Sequence, residues 1–364
     1  EPEVTADLNE LPTVVDVPAE VSVSGDLAEI AIDTAVLPFD DTADFPVVID
    51  PSANLTVSFD TYVSDAWLAD RSGQTELLIG TANSGADKFR SFLNVNVSPV
   101  LGKKVTAATL KLYNFHSWSC TAKGWEVWST STTSTSTRWT NMPALSTKYA
   151  STTATKGYSS SCADGYVTAD ITSLVQAWST GTTTSRGLGL RATSETDNAG
   201  WKRFNSGNAS SNKPVISVTY NSYPNTPSSV KVNGATPASG SVLYTKDTTP
   251  TFTATVSDPD GGSVKGRFTI KQGTTTTVSA ASGTSVASGS TTTYTPSALA
   301  QGKAYSVSVA ANDGTLTSKS SSGRTNRSTS NCLRSSKSSS PGQHSLARLH
   351  KERPPNHLEW RQLP

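Results

Sequence analysis

Histidine is nearly absent from this sequence. The first 343 of its 364 residues contain only His116, and the other three, His344, His350 and His357, sit in the last 21. A Ser-His-Asp triad or a multi-histidine zinc site has almost nothing to build with, which removes two large classes of hydrolase. Charged residues are scarce too, at 16%, and there is one methionine. Runs of Ser and Thr such as Ser129 to Thr137 take their place, a composition that suits short strands and polar turns rather than long helices. No apolar stretch approaches the ~20 residues that a membrane-spanning helix needs. Nor does a charged segment followed by an apolar one open the chain as a secretory signal would. A first residue of Glu1 is what a removed signal peptide, or a fragment of something longer, would leave.

Cysteine is limited to three positions with no CxxC pair. Cys120 and Cys162 are 42 residues apart in a Trp-rich, Ser/Thr-rich region and read as a structural disulfide, which points to an oxidising compartment. Chain entropy credits a loop of that size with about 4 kcal/mol. The alternative is a pair of buried thiols; Cys332 has no evident partner.

The formal net charge of +1 hides a segregation. Residues 1–60 hold 14 carboxylates and no Lys or Arg, whereas residues 324–364 hold 8 basic and 2 acidic side chains. The body between them carries 22 basic against 13 acidic residues, so it is mildly basic.

Four segments follow. Residues 1–50 show short alternating runs such as Leu27-Ala-Glu-Ile-Ala-Ile32 broken by Pro and Asp, expected to be the trailing β segment of a preceding domain or an acidic linker. Residues 51–222 are dense in strand-length runs, among them Val105-Thr-Ala-Ala-Thr-Leu-Lys-Leu-Tyr113, Gly187-Leu-Gly-Leu-Arg191 and Val215-Ile-Ser-Val-Thr-Tyr220, many alternating with period two. One stretch departs from that rhythm: Ile171, Leu174, Val175 and Trp178 recur at helical spacing behind Asp170 or Thr172 as N-cap. Residues 223–322 enter through Tyr223-Pro-Asn-Thr-Pro227 and alternate at Phe252, Ala254 and Val256, and again at Tyr305, Val307 and Val309. A second sandwich, immunoglobulin- or fibronectin type III-like, follows. Residues 323–364 lack a strand pattern and are expected to be a disordered basic tail or out-of-frame sequence. The fold class is all-β: two β-sandwiches in series with one short helix.

Several segments taken in order, namely Phe45-Pro-Val-Val-Ile-Asp-Pro-Ser52, Leu77-Leu-Ile-Gly80, Phe89-Arg-Ser-Phe-Leu93, Arg138-Trp-Thr-Asn-Met-Pro143, Asp170-Ile-Thr-Ser-Leu-Val-Gln-Ala-Trp178 and Trp201-Lys-Arg-Phe-Asn-Ser206, resemble the DNRLRE domain family. The likeness is to versions in large secreted or wall-associated actinobacterial proteins, often accompanied by RHS/YD repeats, and it covers roughly residues 45–222. The resemblance implies a jelly-roll sandwich of the carbohydrate-binding-module type; related modules accompany polysaccharide lyases, and some bind acidic polysaccharide. The unit after it is similar to fibronectin type III-like domains, with Ser257-Asp-Pro-Asp-Gly261 and Ala311-Asn-Asp-Gly314 as markers. No RHS repeat or toxin domain is present in this sequence, and a fold does not fix an activity.

Seven of the eight tryptophans lie between positions 67 and 201, and indole faces stack on apolar and cationic surfaces, sugar C–H faces included. In Trp201-Lys-Arg-Phe204, read as a strand, Trp201 and Arg203 share one face, where the guanidinium can take a uronate carboxylate while the indole stacks; a solvated edge strand explains the same residues. In Trp125-Glu-Val-Trp128 the two indoles point to opposite faces, so one of them is expected outside the core; Trp128 is the candidate named for binding. Trp118 completes the candidate carbohydrate-binding set, although for Trp118, Trp139 and Trp201 packing in the core or around the disulfide is the commoner explanation of a tryptophan in a sandwich. Trp178 belongs to the helix core. Asp258 and Asp260 offer hard oxygens at alternate positions, as calcium sites do, but Asp-Pro and Asp-Gly are turn-forming pairs. No other metal or cofactor is expected. The nine carboxylates between Asp65 and Asp197 include no two that the sequence pairs for glycoside hydrolysis, and no phosphate loop or nucleic-acid motif appears.

The reading is a non-enzymatic, secreted or cell-wall-associated module that binds a glycan or cell-wall polysaccharide, with other domains of a larger parent chain as partners and no nucleic acid or membrane span. Its rivals are a structural stalk of an RHS-type surface or toxin-delivery protein and a polysaccharide-degrading enzyme. Binding predicts exposed aromatics beside Arg or Lys; a stalk predicts that every Trp is buried; catalysis predicts a cleft with paired carboxylates.

Overall fold

The structure, a computed structural model, describes residues 19–24, 27–32, 51–237, 242–321 and 359–362. The chain divides into two compact units, Glu1–Val48 and Ile49–Pro364. In the first, β1 (Ala19–Ser24) pairs antiparallel with β2 (Leu27–Ile32). The rest of the segment expected as a trailing β piece or linker lies outside the described residues.

The second unit opens with a sandwich built from β3 (Ser52–Ser64), β4 (Glu76–Ala82), β5 (Asp87–Asn96), β6 (Lys104–Ser117), β7 (Trp125–Thr130), β8 (Lys148–Thr152), β9 (Gly165–Asp170), β10 (Ser185–Ala192), β11 (Lys202–Asn205) and β12 (Val215–Asn221). One layer runs β3-β12-β6-β11-β4, with β9 also on β6; the other runs β5-β10-β7-β8. Two strands serve both layers. β3 pairs with β12 over Ser52–Thr56 and with β5 over Val57–Ser64. β4 pairs with β11 over Glu76–Ile79 and with β5 over Gly80–Ala82. The crossing point on β4 is Gly80, at φ +95°, where a Cβ would stand 2.7 Å from the Gly200 carbonyl oxygen. Only glycine fits a left-handed residue in so close an approach.

Alternation fills the core as the sequence implies. Leu110 and Leu112 on β6, Trp125 and Val127 on β7, and Leu188 and Leu190 on β10 all face inward with no solvent exposure. Each such side chain contributes roughly 1.5–3 kcal/mol of burial. The helix α1 (Thr172–Ser179) adds Leu174, Val175 and Trp178 to the same core. Its start is fixed by Asp170, whose Oδ1 accepts from the Thr172 N–H (2.9 Å) and hydroxyl (2.6 Å). Cys120 and Cys162 are disulfide-bonded, with Cα atoms 6.3 Å apart, and tie the β6–β7 connection to the loop before β9.

The following sandwich consists of β13 (Ser228–Val232), β14 (Thr236–Pro237), β15 (Val242–Thr245), β16 (Phe252–Thr255), β17 (Ser263–Gln272), β18 (Thr275–Ala287), β19 (Thr291–Tyr294), β20 (Ala304–Asn312) and β21 (Glu359–Gln362). A three-stranded sheet, β13-β16-β19, faces a six-stranded one, β14-β15-β21-β20-β17-β18. Phe252, Phe268, Ile270 and Val309 are fully buried among them. The β21 strand lies within the stretch that the sequence reads as lacking a strand pattern; the remainder of 323–358 is outside the described residues. Along β20, Ser318 and Ser321 donate their backbone N–H groups to Ala311 and Val309, while β21 pairs with Ala304–Ser306. One strand edge is thus covered by two segments far apart in sequence.

Candidate functional site

Where β4 passes between layers, a small apolar cluster of Tyr62, Leu78 and Phe89 forms apart from the main core, with Trp201 and Ala82 against it. Phe89 is its centre. The Trp201 ring meets it edge-on at 4.6 Å and the Trp67 ring at 5.0 Å, both in the T-shaped geometry that aromatic quadrupoles favour. Trp67 follows the end of β3 and is 43% exposed, with Leu68 beside it more exposed still. Trp118, 51% exposed, joins this end of the fold because its backbone N–H donates to the Trp201 carbonyl. Trp201 itself is half-buried.

A cation sits on the same group. The Arg71 guanidinium lies 5.3 Å over the Trp67 ring and 6.0 Å over Tyr62. Its Nε is buried and has no hydrogen-bond partner. The Nε itself is out of a ligand's reach; what lies together at the surface is the exposed Trp67 ring and the outer part of a half-buried Arg71. Arg203, expected to serve that role, is instead committed: its Nε donates to Glu76 Oε2 at 2.6 Å, its Nη2 is ion-paired to the same oxygen, and its guanidinium covers Phe115 at 5.1 Å. Next to it His116 is held below the usual imidazole range, first by burial and then by the Arg203 charge.

Behind this surface, Lys202 and Phe204 point inward and are fully buried. Lys202 Nζ donates to Thr155 Oγ1 at 2.7 Å, and desolvation brings its pKa down to about 8. Asn114, also buried, donates to the His116 and Arg203 carbonyls and accepts from Ser117 Oγ and the Lys156 N–H. It secures the irregular pairing of β6 with β11 that presents Trp201 and Arg203.

Trp128 belongs to a different surface. Successive side chains of β5 point to opposite faces, so Arg90 turns away from the Phe89 cluster. Arg90 Nε and Nη2 donate to the two carboxylate oxygens of Glu195 at 2.8 and 2.7 Å, and its guanidinium lies 4.9 Å over Trp139. On neighbouring β10, Arg191 Nε donates to Glu126 Oε2 at 2.8 Å and its guanidinium lies 5.0 Å over Trp128. Glu126 is buried yet receives further hydrogen bonds from Trp128 Nε1 (2.9 Å) and Lys148 Nζ (3.4 Å). Burial pushes its pKa up, but Arg191, Trp128 and Lys148 outweigh it and hold Glu126 below the usual carboxylate range. The candidates Trp201, Arg203 and Trp118 are brought together; Trp128 is not among them. Sequence reasoning did not single out Trp67 with Arg71, or Trp139 with Arg90. The available signal for the first was an exposed-looking Trp67-Leu-Ala-Asp-Arg71 loop directly after a strand.

Asp258 and Asp260 form a turn and a strap. Gly261 donates to the Asp258 carbonyl at 3.1 Å with φ +81°. Asp260 accepts from the Ser222 N–H and, at 2.8 Å, from its hydroxyl. Asp313 accepts from Asn221 Nδ2 at 3.0 Å, so the last residue of β12 and Ser222 after it are both held by the second sandwich. Among the described residues no three His, Cys, Asp or Glu side chains are grouped to hold a metal ion, and no helix is long and apolar enough to cross a membrane.

Residues 51–220 match the model of carbohydrate-binding module family 96. The chain is 31% identical to "tRNA nuclease WapA" of Bacillus subtilis (strain 168) and to "tRNA3(Ser)-specific nuclease WapA" of Bacillus spizizenii, over 48% of this chain and only 8% of each relative. Among solved structures, a calcium-binding mutant of Bacteroides uniformis beta-glucuronidase 2 aligns with 7% identity over 72% of this chain and 31% of that one, at a TM-score of 0.23, too low to carry an argument.

Proposed function

We propose that the first sandwich is a non-catalytic module that anchors a larger secreted or wall-associated protein to an acidic polysaccharide, with the second sandwich, fibronectin type III-like in character, as its spacer. The observation that carries this is Arg71 against Trp67: an exposed indole for a sugar face beside a half-buried guanidinium that makes no ion pair with a carboxylate among the described residues. A sugar carboxylate is the anion that such a fork pairs with best, and Trp118 and Trp201 extend the aromatic surface for neighbouring units. The family match supports glycan binding. The exposed Trp67 and Trp118 weigh against a purely structural stalk. Ion-pairing of Glu126 and Glu195 weighs against a hydrolase, whose acid must be protonated near neutral pH. The similarity to WapA, confined to 8% of its length, supports a place in a large protein and lends this chain no nuclease activity.

The test is affinity electrophoresis of the full chain through gels containing polygalacturonate or neutral polysaccharides. Polygalacturonate is expected to retard the protein, and Trp67→Ala or Arg71→Gln to abolish the retardation. Equal retardation of wild type and both variants removes the site.

A further inference from the structure

On the outer face of the β5-β10-β7 layer, two units of the same construction adjoin: Trp139 with Arg90 and Glu195, and Trp128 with Arg191 and Glu126. Arg90 and Arg191 lie one step beyond the paired residues Ser91 and Leu190 on neighbouring strands, which places their backbones ~4.8 Å apart. We propose that this face is a second carbohydrate-binding site, separate from the Arg71 surface, and that it takes two consecutive units of an uncharged polysaccharide.

Charge decides the ligand class. Each guanidinium at the Arg71 surface and here is a fork of five N–H donors, but here both are already matched by a carboxylate. A uronate would have to displace Glu195 from a bidentate pair or approach it as a like charge, and either penalty selects against acidic sugars. A neutral pyranose meets neither. Its C–H face suits an indole whose other contact is a guanidinium, and its hydroxyl oxygens can accept the donors of Arg90 that Glu195 leaves free, since that pair uses only Nε and one N–H of Nη2. The units are also rigid before any sugar arrives. Glu126 fixes Arg191, Trp128 and Lys148 at once, and the loop carrying Trp139 is pinned by Asn94, which bonds the Thr133 N–H at 2.9 Å and the Thr133 carbonyl at 2.8 Å. Ordering costs on binding are correspondingly small. At Gly189 of β10 a Cβ would stand 2.5 Å from the Leu145 side chain of the same covering loop, so the loop packs directly on the strand.

The experiment uses the full chain in gels of xylan, galactomannan, hydroxyethylcellulose or polygalacturonate, comparing wild type with Trp139→Ala, Trp128→Ala and Trp67→Ala, each checked by thermal melting. At least one neutral polysaccharide is expected to retard wild type and Trp67→Ala equally, and Trp139→Ala is expected to weaken that retardation about tenfold. Raising NaCl from about 0.05 M to about 0.5 M should leave it unchanged, because no net charge is matched on binding. If Trp128→Ala melts early, Trp139→Ala alone decides, since its ring makes no hydrogen bond to the buried Glu126. Absence of retardation by every neutral polysaccharide, or full retention by Trp139→Ala, overturns the proposal. Loss of polygalacturonate retardation in Trp67→Ala bears only on the Arg71 surface, so the two readings fail separately.

Discussion

Lys202 is the residue whose placement runs furthest against its type. A fully buried ammonium with one hydroxyl partner loses most of its hydration, and its pKa of about 8 lies below the ordinary 10.5. Below pH 8 both folded and unfolded chains hold the proton, and the fold bears the whole burial penalty. Between pH 8 and 10.5 the unfolded chain binds a proton that the folded one does not, so stability rises with pH, and above 10.5 the penalty is gone. Its size is about 3 kcal/mol at most. Denaturant melts of wild type and Lys202→Met across pH 7 to 11 should show that rise only in wild type; parallel curves would contradict it. Glu126 is the converse case, a buried carboxylate that is fully partnered. Glu126→Ala leaves Arg191 without its carboxylate and should cost about 3 kcal/mol in the same melts. Neither burial was legible in the sequence. Alternation placed Glu126 on one face with Trp128 without saying which face is outer, and the cover over that face comes from Arg191, Lys148 and Trp128. Arg203 was likewise readable as a neighbour of Trp201 but not as a partner of Glu76, 127 positions away.

Among the elements, those with strong periodicity were the most legible. Leu110 with Leu112 and Leu188 with Leu190 mark β6 and β10 because a period of two leaves one face apolar. Ile171, Leu174, Val175 and Trp178 mark α1 because those positions close one stripe of a helix. The N-cap is Ile171 and not Asp170 or Thr172; Asp170, one residue earlier, accepts from the Thr172 hydroxyl and N–H, which hold its pKa below the usual range. Asp170→Ala removes both bonds and should lower stability by about 1 kcal/mol, measured by urea unfolding, and an unchanged midpoint would show that they are idle. The sharing of β3 and β4 between two layers was not legible, since it depends on long-range pairing. Its one local trace is Gly80 at the end of Leu77-Leu-Ile-Gly80. Gly80→Ala meets both the left-handed backbone and the Gly200 carbonyl, and should cost about 2 kcal/mol or more.

At the scale of the whole molecule, the two sandwiches of Ile49–Pro364 are joined through Asn221 and Ser222, which are held by Asp313 and Asp260. A spacer that grips its linker transmits orientation as well as distance, which suits a module that must present a glycan-binding face. The sequence marked this junction with Pro224 and Pro227 and marked the Asp258-Pro-Asp-Gly turn; of the turn's carboxylates Asp260 is spent on the linker, while Asp258 accepts from the Asp260 N–H through Oδ1 and keeps a buried Oδ2 without a hydrogen-bond partner. The adhesion account rests above all on Arg71 and Trp67. Its most direct test is calorimetric titration of the full chain with polygalacturonate fragments at about 0.05 M and about 0.5 M NaCl, for wild type and Arg71→Gln. Binding by wild type that weakens with salt and is lost in Arg71→Gln is the predicted result. Binding that Arg71→Gln retains, or no heat with wild type at either salt, would contradict the account.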